Sequence, residues 1–177
     1  MKQKILYLGL SSLFLFGCTP IKTSDYNSIK QSITNKENFI FLITSKTCAH
    51  CRSLKSQIKR QNIKVNVYDI SIDEIDEGIQ NNNSASIESY KYFADLTQHA
   101  YSNVPSYAFK ETYKSFGELE YEDYYGKDSY ITGYINIVFP LSFFYVNGEI
   151  KGFEIGDFSA NIDEVMSSYI EDVNNAK

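Results

Sequence analysis

The chemistry-bearing cluster of the chain is Cys48-Ala49-His50-Cys51. Two thiols at this spacing can close and reopen a disulfide, or supply half of a tetrahedral zinc site. A Cys₄ zinc site needs a second pair, and the 177 residues hold 3 Cys and 2 His in all. A soft ion such as Cu(I), bound by Cys48, His50 and Cys51, stays open as an alternative. The thiolate is the reactive form of cysteine, so what surrounds the pair decides its use.

The elements that position the pair are readable. Asn38-Phe39-Ile40-Phe41-Leu42-Ile43 is an apolar run of strand length, the form of a fully buried central strand. A polar loop at 44–47 follows. Leu54 and Ile58 then keep helical spacing, and Lys59 and Arg60 suit a helix C-terminus. The pair therefore sits at a strand-to-helix junction with Cys48 near the helix N-terminus. Free N–H groups and the helix dipole stabilise a thiolate there, and His50 adds to this when protonated or hydrogen-bonding. Cys51, one turn in, is the less exposed thiol. Residues 64–70 alternate as a second strand. Phe139-Pro140 precedes another apolar run at 141–146, and Asn147-Gly148 is a strong hairpin signal. A return strand at 149–155 ends at Gly156. Asn161 with Glu164 resembles a capping box, and Ile162, Val165, Met166, Tyr169 and Val173 give a terminal amphipathic helix.

This order of strand, C-x-x-C, helix, strand, Pro, hairpin and helix resembles the thioredoxin superfamily of thiol-disulfide oxidoreductases. Pro140, Gly148 and Gly156 match its cis-proline and the two glycines of its hairpin; Pro105 is a competing proline without such a pattern after it. The resemblance covers residues 38–70 and 139–173. It implies an α/β thioredoxin-like fold, a central mixed β-sheet flanked by helices, with a helical insertion between the second strand and the cis-Pro strand. It also implies roles: Cys48 as nucleophile, Cys51 as resolving thiol, His50 as redox tuner, and Phe139 and Pro140 as the strand-like edge that meets substrate. No cofactor and no metal are implied. Three departures stand out. Thr47 replaces the usual Trp, Leu42 replaces the buried Asp that takes the resolving proton, and Ala49-His50 replaces Gly-Pro. A His before the second Cys resembles the DsbA-type oxidases, favouring an oxidising or isomerising role over a reducing one.

The N-terminus sets an address. Lys2 and Lys4 precede an apolar stretch at 5–16 that is short for a bilayer span. Leu15-Phe16-Gly17-Cys18 resembles the lipobox of bacterial lipoproteins, with Phe16 bulkier than usual, and the resemblance points to a Gram-positive source. It implies a signal peptide at 1–17, lipidation of Cys18, a tether at 18–25 and a thioredoxin-like domain at 26–177. The expected location is the outer face of the cell membrane, held by a lipid anchor. With 17 Lys+Arg against 22 Asp+Glu the chain is acidic, which argues against nucleic acid as a partner.

Residues 71–136 form the insertion. Asp73, Glu74, Asp76 and Glu77 make an acidic patch, and Asn81-Asn82-Asn83-Ser84 a break. Ile87, Tyr90, Phe93 and Ala100 predict a helix over 85–101, with a further helical stretch at 107–116. His99 reads as a helix residue and not a ligand. Most of the tyrosines here read as packing, with Tyr124-Tyr125-Gly126 as a possible groove. The function expected is an extracytoplasmic thiol-disulfide oxidoreductase whose partners are exported client proteins with thiols or disulfides, the membrane, and a separate redox-recycling partner. A redox-inert interaction module is the remaining alternative.

Overall fold

Strand β2 (Phe39–Thr44) is the expected buried run, and all six of its residues are shielded from solvent. The computed structural model describes residues 18–116 and 140–176; Phe139 and Tyr124-Tyr125-Gly126 lie outside them. β2 pairs in parallel with β3 (Asn66–Ser71), which pairs in parallel with β1 (Ile21–Thr23). On its other side β2 pairs antiparallel with β4 (Leu141–Val146), and β4 with β5 (Glu149–Ile155). The five-stranded sheet thus runs β1-β3-β2-β4-β5.

Alternation along the central strands makes two cores. Phe39, Phe41 and Ile43 join Phe143 and Phe153 on one face. That face lies under α1 (Tyr26–Thr34), α3 (Ile72–Gln80) and α4 (Ser84–Asn103). Ile40, Leu42 and Phe144 face the other way, under α2 (Ala49–Arg60) and α5 (Ile162–Asn175). The apolar residues expected on the terminal helix are all buried there. This is the mixed, helix-flanked α/β sheet that the resemblance implies, and α3 and α4 supply the helical insertion. The Asn147-Gly148 turn is also as expected, with φ of 51° and 78°. Both values belong to the type I′ hairpin turn, and a Cβ on Gly148 would strike the Ile33 carbonyl.

Three expectations are corrected. Residues 18–25 are not a tether. Thr19 is buried, its N–H donates to the Lys59 carbonyl at 3.0 Å, and its hydroxyl accepts the Ile63 N–H at 2.8 Å. Two residues further on the chain is already β1. Asn161 makes no side-chain cap; a 3₁₀ turn at Ser159–Asn161 leads into α5 instead. Residues 107–112 are not helical. They form a strap around the outer edge of β5, closed by a bridge between Pro105 and Thr112, before a 3₁₀ turn at Tyr113–Phe116. The strap replaces helix because its polar groups find partners across the edge. The Pro105 carbonyl accepts the Phe153 N–H at 3.2 Å, which covers part of a strand edge that would otherwise stand open. Tyr107 fills the space left by Gly152 and donates to Asp172 of α5 at 2.6 Å.

The strap is pinned by Glu154, which is 1% exposed. Its carboxylate accepts from the Ser106 hydroxyl at 2.8 Å, the Ala108 N–H at 3.0 Å and the Tyr113 hydroxyl at 2.9 Å. Burial raises the Glu154 pKa above its ordinary 4.5, outweighing these hydrogen bonds, which lower it. The folded state therefore holds this proton more tightly than the unfolded chain does. Its contribution to stability is full below the ordinary value and is lost as pH rises through the raised one. Urea unfolding from about pH 4 to about pH 8 will show that loss, and Glu154→Gln will flatten it. Glu154→Leu, which strands three donors, will cost about 3 kcal/mol.

Candidate redox site

The loop after β2 delivers Cys48 to the head of α2, where it is the N-cap residue in extended conformation. Its sulfur accepts the Cys51 N–H at 3.0 Å. Cys48 and Cys51 are joined in a disulfide with Cα atoms 5.3 Å apart. Cys51 is fully buried and packs with Leu54 and Ile58 on the inner face of α2, whereas Cys48 is half-buried. An incoming sulfur can therefore reach Cys48 and not Cys51. Among the described residues no three His, Cys, Asp or Glu side chains converge as a metal site.

His50 is exposed, with Nδ1 3.5 Å from Asp157 Oδ2. Burial works against ionisation of Asp157, but hydrogen bonds from Ser159, with His50 and Ser53 contributing, outweigh it and hold its pKa below the usual carboxylate value. A negative charge thus sits just past the β5 end, within 3.5 Å of the His50 ring. Pro140 is buried at the head of β4, and its carbonyl accepts the Gly156 N–H at 2.7 Å. Since Leu141 faces Ile43 across the sheet, Pro140 stands opposite Thr44, at the end of β2 from which the Cys48 loop leaves. Cys48, Cys51, His50 and Pro140 thus gather at one end of the domain. Cys18 is at the other, exposed and outside the disulfide.

Two contributions were not anticipated. The first is Asp73, one of the four residues of the acidic patch. Its carboxylate accepts the Lys46 N–H at 2.6 Å and the Ser45 hydroxyl at 3.3 Å, and so holds the loop that carries Cys48. Burial raises its pKa, but the donors Lys46, Ser71 and Ser45 together lower it below 3.8. The second is Asp69. The register places Asp69, Leu42, Ser142 and Glu154 in one row across the sheet face that α2 and α5 cover. Leu42 is apolar, as expected, but it has polar neighbours on both sides. Asp69 accepts from Thr44 at 2.7 Å and pairs with Lys55 at 2.8 Å. Lys55 is one helical turn beyond Cys51 on α2. A signal for Asp69 was present: it shares strand parity with the buried Val67. On the same flank of α2 a groove of about 330 Å³ opens between Ile21, Thr23, Arg52 and Lys59.

No family model matches the chain, and no curated protein matches it. Among solved structures it is similar to thioredoxin O1 from Arabidopsis thaliana in its oxidized state. The identity is 15%, the TM-score 0.45, and the match covers 84% of this chain and 96% of that one. The sheet order, the strand directions and the disulfide of the chain itself are those of a thioredoxin-like fold with a Cys48–Cys51 pair at its strand-to-helix junction.

Asp73→Ala will loosen the Cys48 loop. Because the folded pKa is depressed, the wild-type carboxylate stabilises the fold above its ordinary 3.8 and loses that contribution as pH falls through the lower value. The variant should be about 2 kcal/mol less stable at neutral pH, an effect that shrinks in acid. Faster hydrogen exchange at Lys46 and Cys48 would locate the loss.

Proposed function

We propose that this chain is an extracytoplasmic, membrane-anchored thiol-disulfide oxidoreductase that oxidises or isomerises exported proteins. The observation that carries the redox part is the half-exposed Cys48 sulfur, disulfide-bonded to buried Cys51 at the head of α2. In the oxidising direction a client thiolate attacks Cys48. The Cys48–Cys51 bond breaks, a client–Cys48 mixed disulfide forms, and Cys51 leaves as a thiolate that takes a proton. A second client thiolate then attacks the mixed disulfide and releases the client disulfide. Cys48 leaves in that step as a thiolate, so two electrons have passed to the pair, which another protein or a small oxidant must re-oxidise.

The oxidising preference rests on thiolate stabilisation. The N-terminus of α2 favours negative charge on Cys48, and a protonated His50 would add to it. A stable thiolate makes the disulfide easier to reduce, and so a better oxidant. Asp69, beside Leu42 in the sheet and paired with Lys55 one helical turn from Cys51, is the candidate to exchange the Cys51 proton in place of the acid missing at Leu42. Anchoring rests on Lys2, Lys4, the apolar stretch at 5–16 and the Gly17-Cys18 junction. Pro140, with Phe139 before it, is the expected place for a client strand to pair.

Equilibration against glutathione tests the direction of electron flow. The expected potential lies between about −180 and about −120 mV, and a value near about −270 mV would make the protein a reductant. A pair that fails to titrate with two electrons would favour Cu(I) binding. In cells, Cys51→Ser should accumulate mixed disulfides with exported proteins and Cys48→Ser should not; equal capture by both would overturn the assigned roles.

A further inference from the structure

The anchor point has almost no leash. Thr19, the residue after Cys18, is 1% exposed and is clamped to the C-terminal end of α2 through Lys59 and Ile63. Cys18 itself is exposed. The same end of the domain presents cations that follow from the clamp: Lys59 provides the carbonyl that Thr19 bonds, Arg60 is next to it, and Lys64 follows Ile63. All three are exposed. Lys22, in β1, also points to this end through its hydrogen bond to Asn66 at 2.8 Å. The acids nearest this cluster are Asp163 at the start of α5, which accepts from Gln61 at 3.0 Å, and Asp69, which lines the groove beside Lys59 and pairs with Lys55. The redox pair is at the opposite end of α2, a helix of 12 residues, so about 18 Å separate the two. Around Cys48 the balance is acidic, with Asp73, Glu74 and Asp157 against Lys46 and Arg52.

We propose that the C-terminal end of α2, with Lys59, Arg60 and Lys64, is a docking surface for anionic lipid headgroups. This rests on the lipidation of Cys18 proposed above. The occupant is a lipid surface because acyl chains on Cys18 bring one to within a residue of this patch, and because the patch is basic on an otherwise acidic chain. The one-residue leash then fixes orientation. The domain stands on the bilayer with Cys48 at its far end, and the clients it meets are polypeptides clear of the membrane surface.

The test uses the full chain expressed in bacteria, extracted from membranes and reconstituted in vesicles. One set is phosphatidylcholine alone and the other contains phosphatidylglycerol. Intact mass reports lipid on Cys18, and lysine acylation reports exposure. The expected result is a lipid-bearing Cys18 with Lys59 and Lys64 about fivefold less reactive on the anionic vesicles, the equivalent of about 1 kcal/mol per basic residue. Lys46, beside the redox pair, should not change. Lys59→Gln with Lys64→Gln should abolish the extra protection of Arg60 from phenylglyoxal, an arginine reagent, on anionic vesicles. A lipid-bearing chain whose Lys59 and Lys64 react as in detergent, or whose Lys46 is protected instead, would overturn the orientation and leave the anchoring intact. A Cys18 without lipid would overturn both.

Discussion

At the head of α2 the Cys48 sulfur accepts the N–H of Cys51, 3.0 Å away. The first turn of any helix leaves N–H groups without partners inside it, and serine, threonine or aspartate usually supplies the acceptor. Here sulfur takes that place, so the capping group and the reactive group are one atom. The contact requires the chain to enter the helix in extended conformation at Cys48. That in turn requires β2 to end at Thr44 and the loop to turn at 45–47. The burial of β2 on both faces and the grip of Asp73 on Ser45 and Lys46 meet these requirements. The position of Cys48 is therefore set from two directions, by a central strand and by a carboxylate from the insertion.

The charges near the pair are placed by register. Leu42 occupies the sheet position where a buried carboxylate would sit under Cys51, and it packs with Ile40 and Leu54 as an ordinary core residue. A carboxylate appears one strand over, at Asp69, where Thr44 and Lys55 hydrogen-bond it. The two placements are chemically different. A lone buried acid resists ionisation, whereas one paired with an ammonium and a hydroxyl is compensated. A proton leaving Cys51 by this route would meet an ion pair.

The central strand, the C-x-x-C junction, the Asn147-Gly148 hairpin and the terminal helix were legible because each is encoded locally, by a run, a spacing or a turn dipeptide. β1 was not. Three residues carry no period, and Ile21–Thr23 becomes a strand only because β3 offers an edge. The strap was misread for a related reason. Tyr107, Ala108 and Tyr113 allow a continuous helix, but Glu154 and Phe153, more than forty positions away, supply the partners that hold the segment in turns around the sheet edge. Asp73 looked like one acid among four; what sets it apart is a backbone N–H from the loop before Cys48. The tyrosines follow composition more simply. Tyr90 and Tyr107 are buried, and Tyr92, Tyr101 and Tyr113 pack against the core, so their main role is apolar bulk.

α2 links the redox end of the domain to its basic end. A helix dipole favours negative charge at its N-terminus and positive charge in its last turn. At the first end the Cys48 sulfur caps the helix. At the second that preference accommodates Lys59 and Arg60, and the Lys59 carbonyl, one of the last of the helix, is satisfied by Thr19. The dipole that favours negative charge beside Cys48 thus also makes the opposite end a stable place for basic residues. With Thr19 clamped there, one helix gives the domain a basic end beside Cys18 and a redox end away from it.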